Sequence, residues 1–595
     1  MRAVFLVVLI LLGFYYLFVD FRGLSDAKGI EQAQIGREIA RGHGFTTKTI
    51  RPVSLYQARS VDPETPLVGF KDTFHAPLNP LLNSVFLLTC QSAWDYEPEV
   101  QGNEENRSAI YLPDRVIAAV SALLLFCSIG ITYLLVSRIF DAKIGGVTAI
   151  LMLLCQLLWK FAQSGLPQNL LLFLFCFATY FLYKAVEMHN QGKSPWLWIA
   201  LTGGFFGLLA LAHWLTVWIF LGAIVFVAAY FRPRGVLAIM MAAIFLAIIS
   251  FWGYHNYKNS GSIVGSGIYS FYSGLNNGEE EWVMRNADPK TDDFSLDGLP
   301  TKLVYGSLRQ VNDLYSFLGS IVAAPLFFLS LLHAFRRREI ANFRWCLLLM
   351  WVFGVGGMSL FGIRDPLEAN QLHVLFIPLM TAYGLAIVSV LWHRLGLPMH
   401  APMVRNGHFT IIILISAMPF LLTLVPSIIR GMYTKERVFK ANWPPYMPAV
   451  IAELKDITEP NEVIVSDMPW AVAWYADRIS VWTPRTMDQF ESLVPYAEDK
   501  GTPVAGLHFS PLTTNKEMGS ELFIRDRDWA ALASRMAVAG VTRTPDAPEG
   551  LDIMGRQEFR FARAFYPMIG HSMFFYSDRD RRRLKESRAA ASSSE

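Results

Sequence analysis

Asp26, Glu31 and Glu38 fall within one short polar segment, SDAKGIEQAQIGREIARGHGF, residues 25–45 of a 595-residue chain, directly after its first apolar stretch. A carboxylate at a membrane–water boundary can take the proton of an attacking hydroxyl, and partial burial would raise its pKa and make it a better base. Each of these residues also has a plainer role open to it. Asp26 stands where an N-cap would, ahead of a helix expected over 27–41 that closes at Gly42. Glu31 and Glu38 are seven apart, so they share a helix face and have Arg37 and Arg41 for ordinary surface pairing.

Cations follow the same segment. TTKTIRP supplies Lys48 and Arg51, FKDTFHAPLNP supplies Lys71 and His75, and LPDRV supplies Arg115. Lys160 and His213 belong to later apolar runs, and His213 interrupts one of them in ALAHWLTVW. Cations at helix ends commonly snorkel to the interface. Taken together they would suit a phosphate-bearing lipid, whose charge needs several donors in a low-dielectric setting. A third group, Glu368, Asn370, Gln371 and His373 in DPLEANQLHVLFIPLM, crowds the head of a span. Polar groups there line a cavity or bond between helices.

Membrane-spanning helices must position these residues. The chain is 53% hydrophobic and only 17% charged, and apolar runs near the ~20-residue spanning length recur through its first 430 residues. Eleven spans are expected, near 3–19, 114–137, 144–162, 167–184, 196–212, 214–231, 235–254, 311–335, 344–361, 371–392 and 409–430. The first lacks a following cleavage site and reads as a retained helix. With the N-terminus cytoplasmic, the loops RIFDAK, YKAVEMHNQGK, FRPRG, FRRREIANFR and WHRLGLPMHAPMVRNGH all lie inside, and all are positive. The long segments 20–113 and 255–310, with their acidic stretches, then lie outside, and LNPLLNSVFLLTCQSAW reads as a helix at the outer interface. GSGIYSFYSGLNNGEEEW, in the second long segment, has glycines and aromatics that would permit closure over a substrate.

Beyond residue 430 the composition turns soluble. PAVIAELKDI and PWAVAWYADR have helical spacing, while NEVIVSD and ISVWTP read as strands, so 431–577 is expected to form a small extracytoplasmic α/β domain. The basic tail 578–595 has the composition of a disordered segment. The five cysteines are scattered through apolar runs without metal-ligand spacing. The net charge of +3 gives no support to nucleic-acid binding.

With these pieces assembled, residues 1–430 resemble the GT-C superfamily of integral membrane glycosyltransferases, in particular the protein O-mannosyltransferase and lipid A aminoarabinose transferase group. The 25–45 segment looks like that family's first-loop signature, FHAPLNPLL like its H-P-P-L-x-P element, and the stretch from Asp114 through GGVTAILMLL like its R-L-x-S…L-x-x-R-x-F-G block. The resemblance implies a polyprenyl-phosphate sugar donor, transfer on the outer face of an inner or plasma membrane, and inversion at the sugar carbon. It makes Asp26 the best match for the base on the acceptor, with Glu31 as competitor. It sets His75 at a phosphate-binding position and His213 where relatives often carry Lys or Arg. Arg51, Lys71, Arg115, Lys160, Glu368, Asn370, Gln371 and His373 complete the expected substrate-binding set. Ala27 replaces the second acid of the usual Asp-Glu pair, and Gln168 and Asn169 stand where relatives often have Asp. Neutral amides are poorer ligands for a hard cation, so a divalent metal fits badly. Two other classes stay open: a transporter or lipid flippase, against which the lack of an internal repeat counts, and an inactive assembly partner with the same fold.

Overall fold

The computed structural model describes residues 2–95, 110–275, 280–290, 295–363, 365–395, 402–433, 448–514, 529–532, 561–565, 573–577, 579 and 581. The tail 582–595 and most of the acidic DYEPEVQGNEEN stretch lie outside the described residues.

Among the described residues six helices are long and apolar enough to cross a membrane: Leu112–Ile139, Gln168–Asn190, Val236–Ser260, Arg338–Phe361, His373–Arg394 and Val404–Pro426. A seventh candidate is the pair Ala142–Leu153 and Gln156–Ser164, bent by 53°, and three shorter apolar helices cover Val4–Asp20, Trp196–Ala212 and Trp214–Tyr230. Outward-facing Ile239, Leu246 and Leu422 leave apolar surface that suits lipid rather than water.

Ten of the eleven expected runs therefore coincide with apolar helices. The run at 311–335 does not. It breaks into the short helices Leu314–Phe317 and Phe327–Ser330 joined by turns. Gly319 and Ser320 both take positive φ there, and a side chain at Gly319 would collide with the Cys155 sulfur. Irregular backbone at membrane depth needs protein around it, and Leu318, Ile321, Ala323 and Ala324 are all buried.

The soluble part is a six-stranded sheet in the order β1-β3-β2-β4-β6-β5. Its strands are β1 (Thr49–Ile50), β2 (Val463–Ser466), β3 (Ile479–Trp482), β4 (Val504–Phe509), β5 (Phe561–Phe565) and β6 (Met573–Ser577). β1 to β4 pair in parallel; β6 runs antiparallel to both β4 and β5. β2, β3 and β4 are apolar and buried on both faces, as central parallel strands must be.

β1 belongs to the first long loop, with Thr49 opposite Ser480 and Ile50 opposite Val481. The loop and the C-terminal region thus share one sheet, which crosses the boundary expected at residue 430.

Candidate active site

The polar helix of the opening segment runs from Ala27 to Ala40. Two glycines set its position. A Cβ on Gly29 would lie 2.1 Å from the Ser164 carbonyl, and one on Gly36 would lie 3.0 Å from the Pro80 carbonyl. Backbone-to-backbone approach at these two points presses the helix onto the 164–167 turn and onto the Leu78–Leu87 helix.

The C-terminal half of this helix fastens the soluble domain. Arg37, fully buried, donates to the carbonyls of Ala473 and Trp474 at 2.8 Å each and to the Tyr111 hydroxyl. Asp477 collects Arg37, Arg41 and Lys48 at 2.7–3.1 Å. Burial would raise its pKa, but these cations outweigh that and hold it far below the usual aspartate range. Glu38 pairs with Arg41 at 2.9 Å and His43 at 2.7 Å, so both acids serve the junction.

The N-terminal half carries a different set. Asp26 caps the helix, accepting from the Gly29 N–H at 3.1 Å, and so fills the plainer role open to it in sequence. Burial nevertheless raises its pKa to about 6, against the Gly29 N–H and Lys28, which lower it. Glu31 is buried and ion-paired with Arg51; His75 Nε2 lies 3.1 Å away. On its other side His75 Nδ1 lies 3.3 Å from Asp72, which also accepts the His75 backbone N–H at 2.8 Å. Burial would lower the His75 pKa, but Asp72 and Glu31 keep it above normal. Burial would raise Glu31, yet Arg51 and His75 hold it down. Lys28 reaches Glu280 of the second long loop at 2.9 Å, and Ser270 donates to the same carboxylate at 3.2 Å.

Asp26, Glu31, Arg51 and His75 are thus brought into one cluster, together with Lys28, Asp72 and Glu280, which sequence reading did not assign. The Asp72/His75 spacing of three was the available signal. His213 and Glu368 lie within electrostatic range: His213 senses Lys28 and His75, and Glu368 acts on Lys28. The loop of Glu368 is held by Gln168, whose amide donates to the carbonyls of Glu368 and Ala369 at 3.1 and 2.7 Å. Asn169 donates to Ser121 instead.

Other expected residues stand apart. Lys71 and Lys160 are exposed. Arg115 stacks over Phe18 at 5.3 Å. His373 accepts from Trp351 and contacts Gln310, each at 3.1 Å, Asn370 donates to the Gly362 carbonyl, and Gln371 accepts from the His373 N–H. These three bond between and within helices. Among the described residues no group of three or more His, Cys, Asp and Glu side chains is arranged to hold a metal ion.

No family model and no curated protein matches the chain. Solved structures do. The oligosaccharyltransferase of Archaeoglobus fulgidus is 13% identical, with 89% of this chain aligned to 70% of that one at a TM-score of 0.49. ArnT from Cupriavidus metallidurans, in the apo state, is 12% identical over 86% of this chain and 93% of its own, with a TM-score of 0.47. The same protein bound to undecaprenyl phosphate gives 13% identity and a TM-score of 0.47. These proteins are members of the GT-C group that the first-loop residues resemble.

Proposed function

We propose that the protein is a membrane glycosyltransferase that moves a sugar from a polyprenyl-phosphate donor to an acceptor hydroxyl on the outer face of the membrane, with inversion. The observation that carries this reading is the division of labour at the start of the polar helix. Asp26 is a half-buried carboxylate with its pKa raised to about 6 and, among the described residues, no cation ion-paired with it, while Glu31 a turn and a half later is neutralised by Arg51 and His75. A base must be able to take a proton, and Glu31, held low, is poorly placed to do so.

In this reading the acceptor oxygen attacks the sugar carbon and gives its proton to Asp26. The new C–O bond forms as the bond to the phosphate oxygen breaks, and the electron pair leaves with the polyprenyl phosphate. Lys28, Arg51 and His75 supply the positive field for that leaving phosphate, while His213, kept neutral by burial and by Lys28 and His75, offers at most a hydrogen bond. Most of the rate comes from orientation and from this stabilisation. Glu280 of the second loop, bonded to Lys28 and Ser270, stands beside the site.

Purified protein offered a panel of polyprenyl-phosphate sugars and acceptors is expected to consume one donor, and Asp26→Asn is expected to bind that donor without consuming it. Failure of the wild type to bind or consume any donor would favour an inactive assembly partner.

A further inference from the structure

The carboxyl ends of the four parallel strands lie in a row that begins at the charged cluster. Arg51, the partner of Glu31, directly follows β1. Next along the row are Trp482 and Thr483 at the end of β3, Ser466 and Asp467 at the end of β2, and Phe509 and Ser510 at the end of β4, with neighbouring strands about 4.8 Å apart. After β2 the chain adds β3 on one side and then returns to place β4 on the other. Ligands of open parallel sheets bind outside the carboxyl ends where strand order reverses in this way.

The row holds buried polar atoms without partners. Trp470 Nε1, Trp482 Nε1 and Thr483 Oγ1 have no hydrogen-bond partner among the described residues, although their residues are only 5%, 8% and 0% exposed. The two indoles meet edge to face at 5.9 Å. Native proteins pair nearly all such groups. Asp467, by contrast, is saturated: it accepts from the Ser510 N–H and hydroxyl at 2.9 and 2.8 Å and from the Thr513 hydroxyl at 2.7 Å. The second loop roofs the row. Arg285 Nε donates to the Thr483 carbonyl at 2.6 Å, and its guanidinium lies 5.7 Å from the Trp482 ring. Five residues earlier the same loop holds Lys28 through Glu280.

We propose that this edge binds the acceptor and that the acceptor is a glycan, an inference that rests on the transferase reading. Indole N–H donors and a hydroxyl beside aromatic rings, with Asp467 already satisfied by Ser510 and Thr513, match an uncharged polyhydroxylated chain. An extended peptide pairs with the lateral edge of a sheet, and here the lateral edge nearest the cluster is β1, whereas the unpartnered atoms lie at the strand ends. Opening of the 280–286 stretch admits the glycan, and the Lys28–Glu280 pair, about a quarter exposed, is its solvent-facing end.

The test is hydrogen–deuterium exchange on the full-length protein in detergent, titrated separately with N-acetylchitotriose, mannotriose and a threonine-rich hexapeptide. Saturable protection of 463–485 and 280–286 by an oligosaccharide is expected. Thr483→Val should weaken it about fivefold to tenfold by loss of one hydrogen bond, while Thr483→Ser should retain it. Protection by the peptide alone, by none of the three, or equally in Thr483→Val overturns the proposal. Donor consumption measured on the same preparation tests the transferase reading separately, because oligosaccharide binding without it would leave the edge assigned and the chemistry refuted.

Discussion

Asp26, the N-cap, and Glu31 sit five residues apart at the start of one helix, and their surroundings set their acidities apart. Glu31 has two cationic partners and is held ionised, whereas Asp26 is bonded by backbone N–H groups and burial raises its pKa to about 6. Arg51→Met would leave Glu31 buried beside His75 alone, and the loss of one partner of a buried pair is expected to cost about 3–5 kcal/mol. Thermal unfolding followed by tryptophan fluorescence checks that figure, and a shift within error would show the pair to be dispensable. The acids of the 25–45 segment were legible in sequence, as was the capping role of Asp26. Their sorting was not, because it depends on Arg51, Asp72 and His75, which are 20 to 44 residues further on than Glu31 or are brought to it only by folding. Glu38 looked like its equal by spacing and instead joins the clamp around Arg41.

At the scale of elements, the polar helix is placed by contacts its own sequence hardly announces. Gly29 reads as a weak point in a helix, yet the Ser164 carbonyl leaves no room for a Cβ. Gly29→Ala is therefore expected to destabilise by about 1–3 kcal/mol and, by displacing the neighbouring cap residue, to lower transfer more than it lowers donor binding. Paired measurements of donor affinity and turnover separate the two, and equal loss of both would contradict that account. Periodicity and hydropathy recovered ten apolar helices but overcalled 311–335, where Gly319, Ser320 and Pro325 break a run that composition alone would make continuous. The cluster at Glu368–His373 was legible as polar residues at a helix mouth. Its division, with Glu368 in electrostatic reach of Lys28 and Asn370, Gln371 and His373 in helix bonding, follows from packing.

For the whole molecule, the first loop and the C-terminal region form one body through β1, Arg37 and Asp477. Two strands and two helices were foreseeable after residue 447. The sharing of the sheet was not, because Thr49–Ile50 is too short to announce itself and pairs with residues 431 positions away in sequence. Asp477→Asn keeps the left-handed backbone that Asn tolerates but removes the charge facing three cations, and is expected to free the domain to proteolysis and cost about 3 kcal/mol. The native pKa of Asp477 is depressed, so its contribution is present above the unfolded value of about 3.9 and is lost as pH falls below it. The wild type should accordingly loosen below pH 4 and the variant should change little there, which circular dichroism against pH measures.

The central claim, that Asp26 is the base of a polyprenyl-phosphate sugar transfer, is tested most directly by the pH dependence of donor consumption in wild type and Asp26→Asn. Wild-type kcat/KM is expected to rise tenfold per pH unit at low pH and to level off above about 6, as the carboxyl loses its proton. Asp26→Asn is expected to retain donor binding, with turnover reduced by about 100-fold or more and the low-pH limb gone. Undiminished turnover in Asp26→Asn with the same limb, or abolition by Glu31→Gln alone, would contradict it.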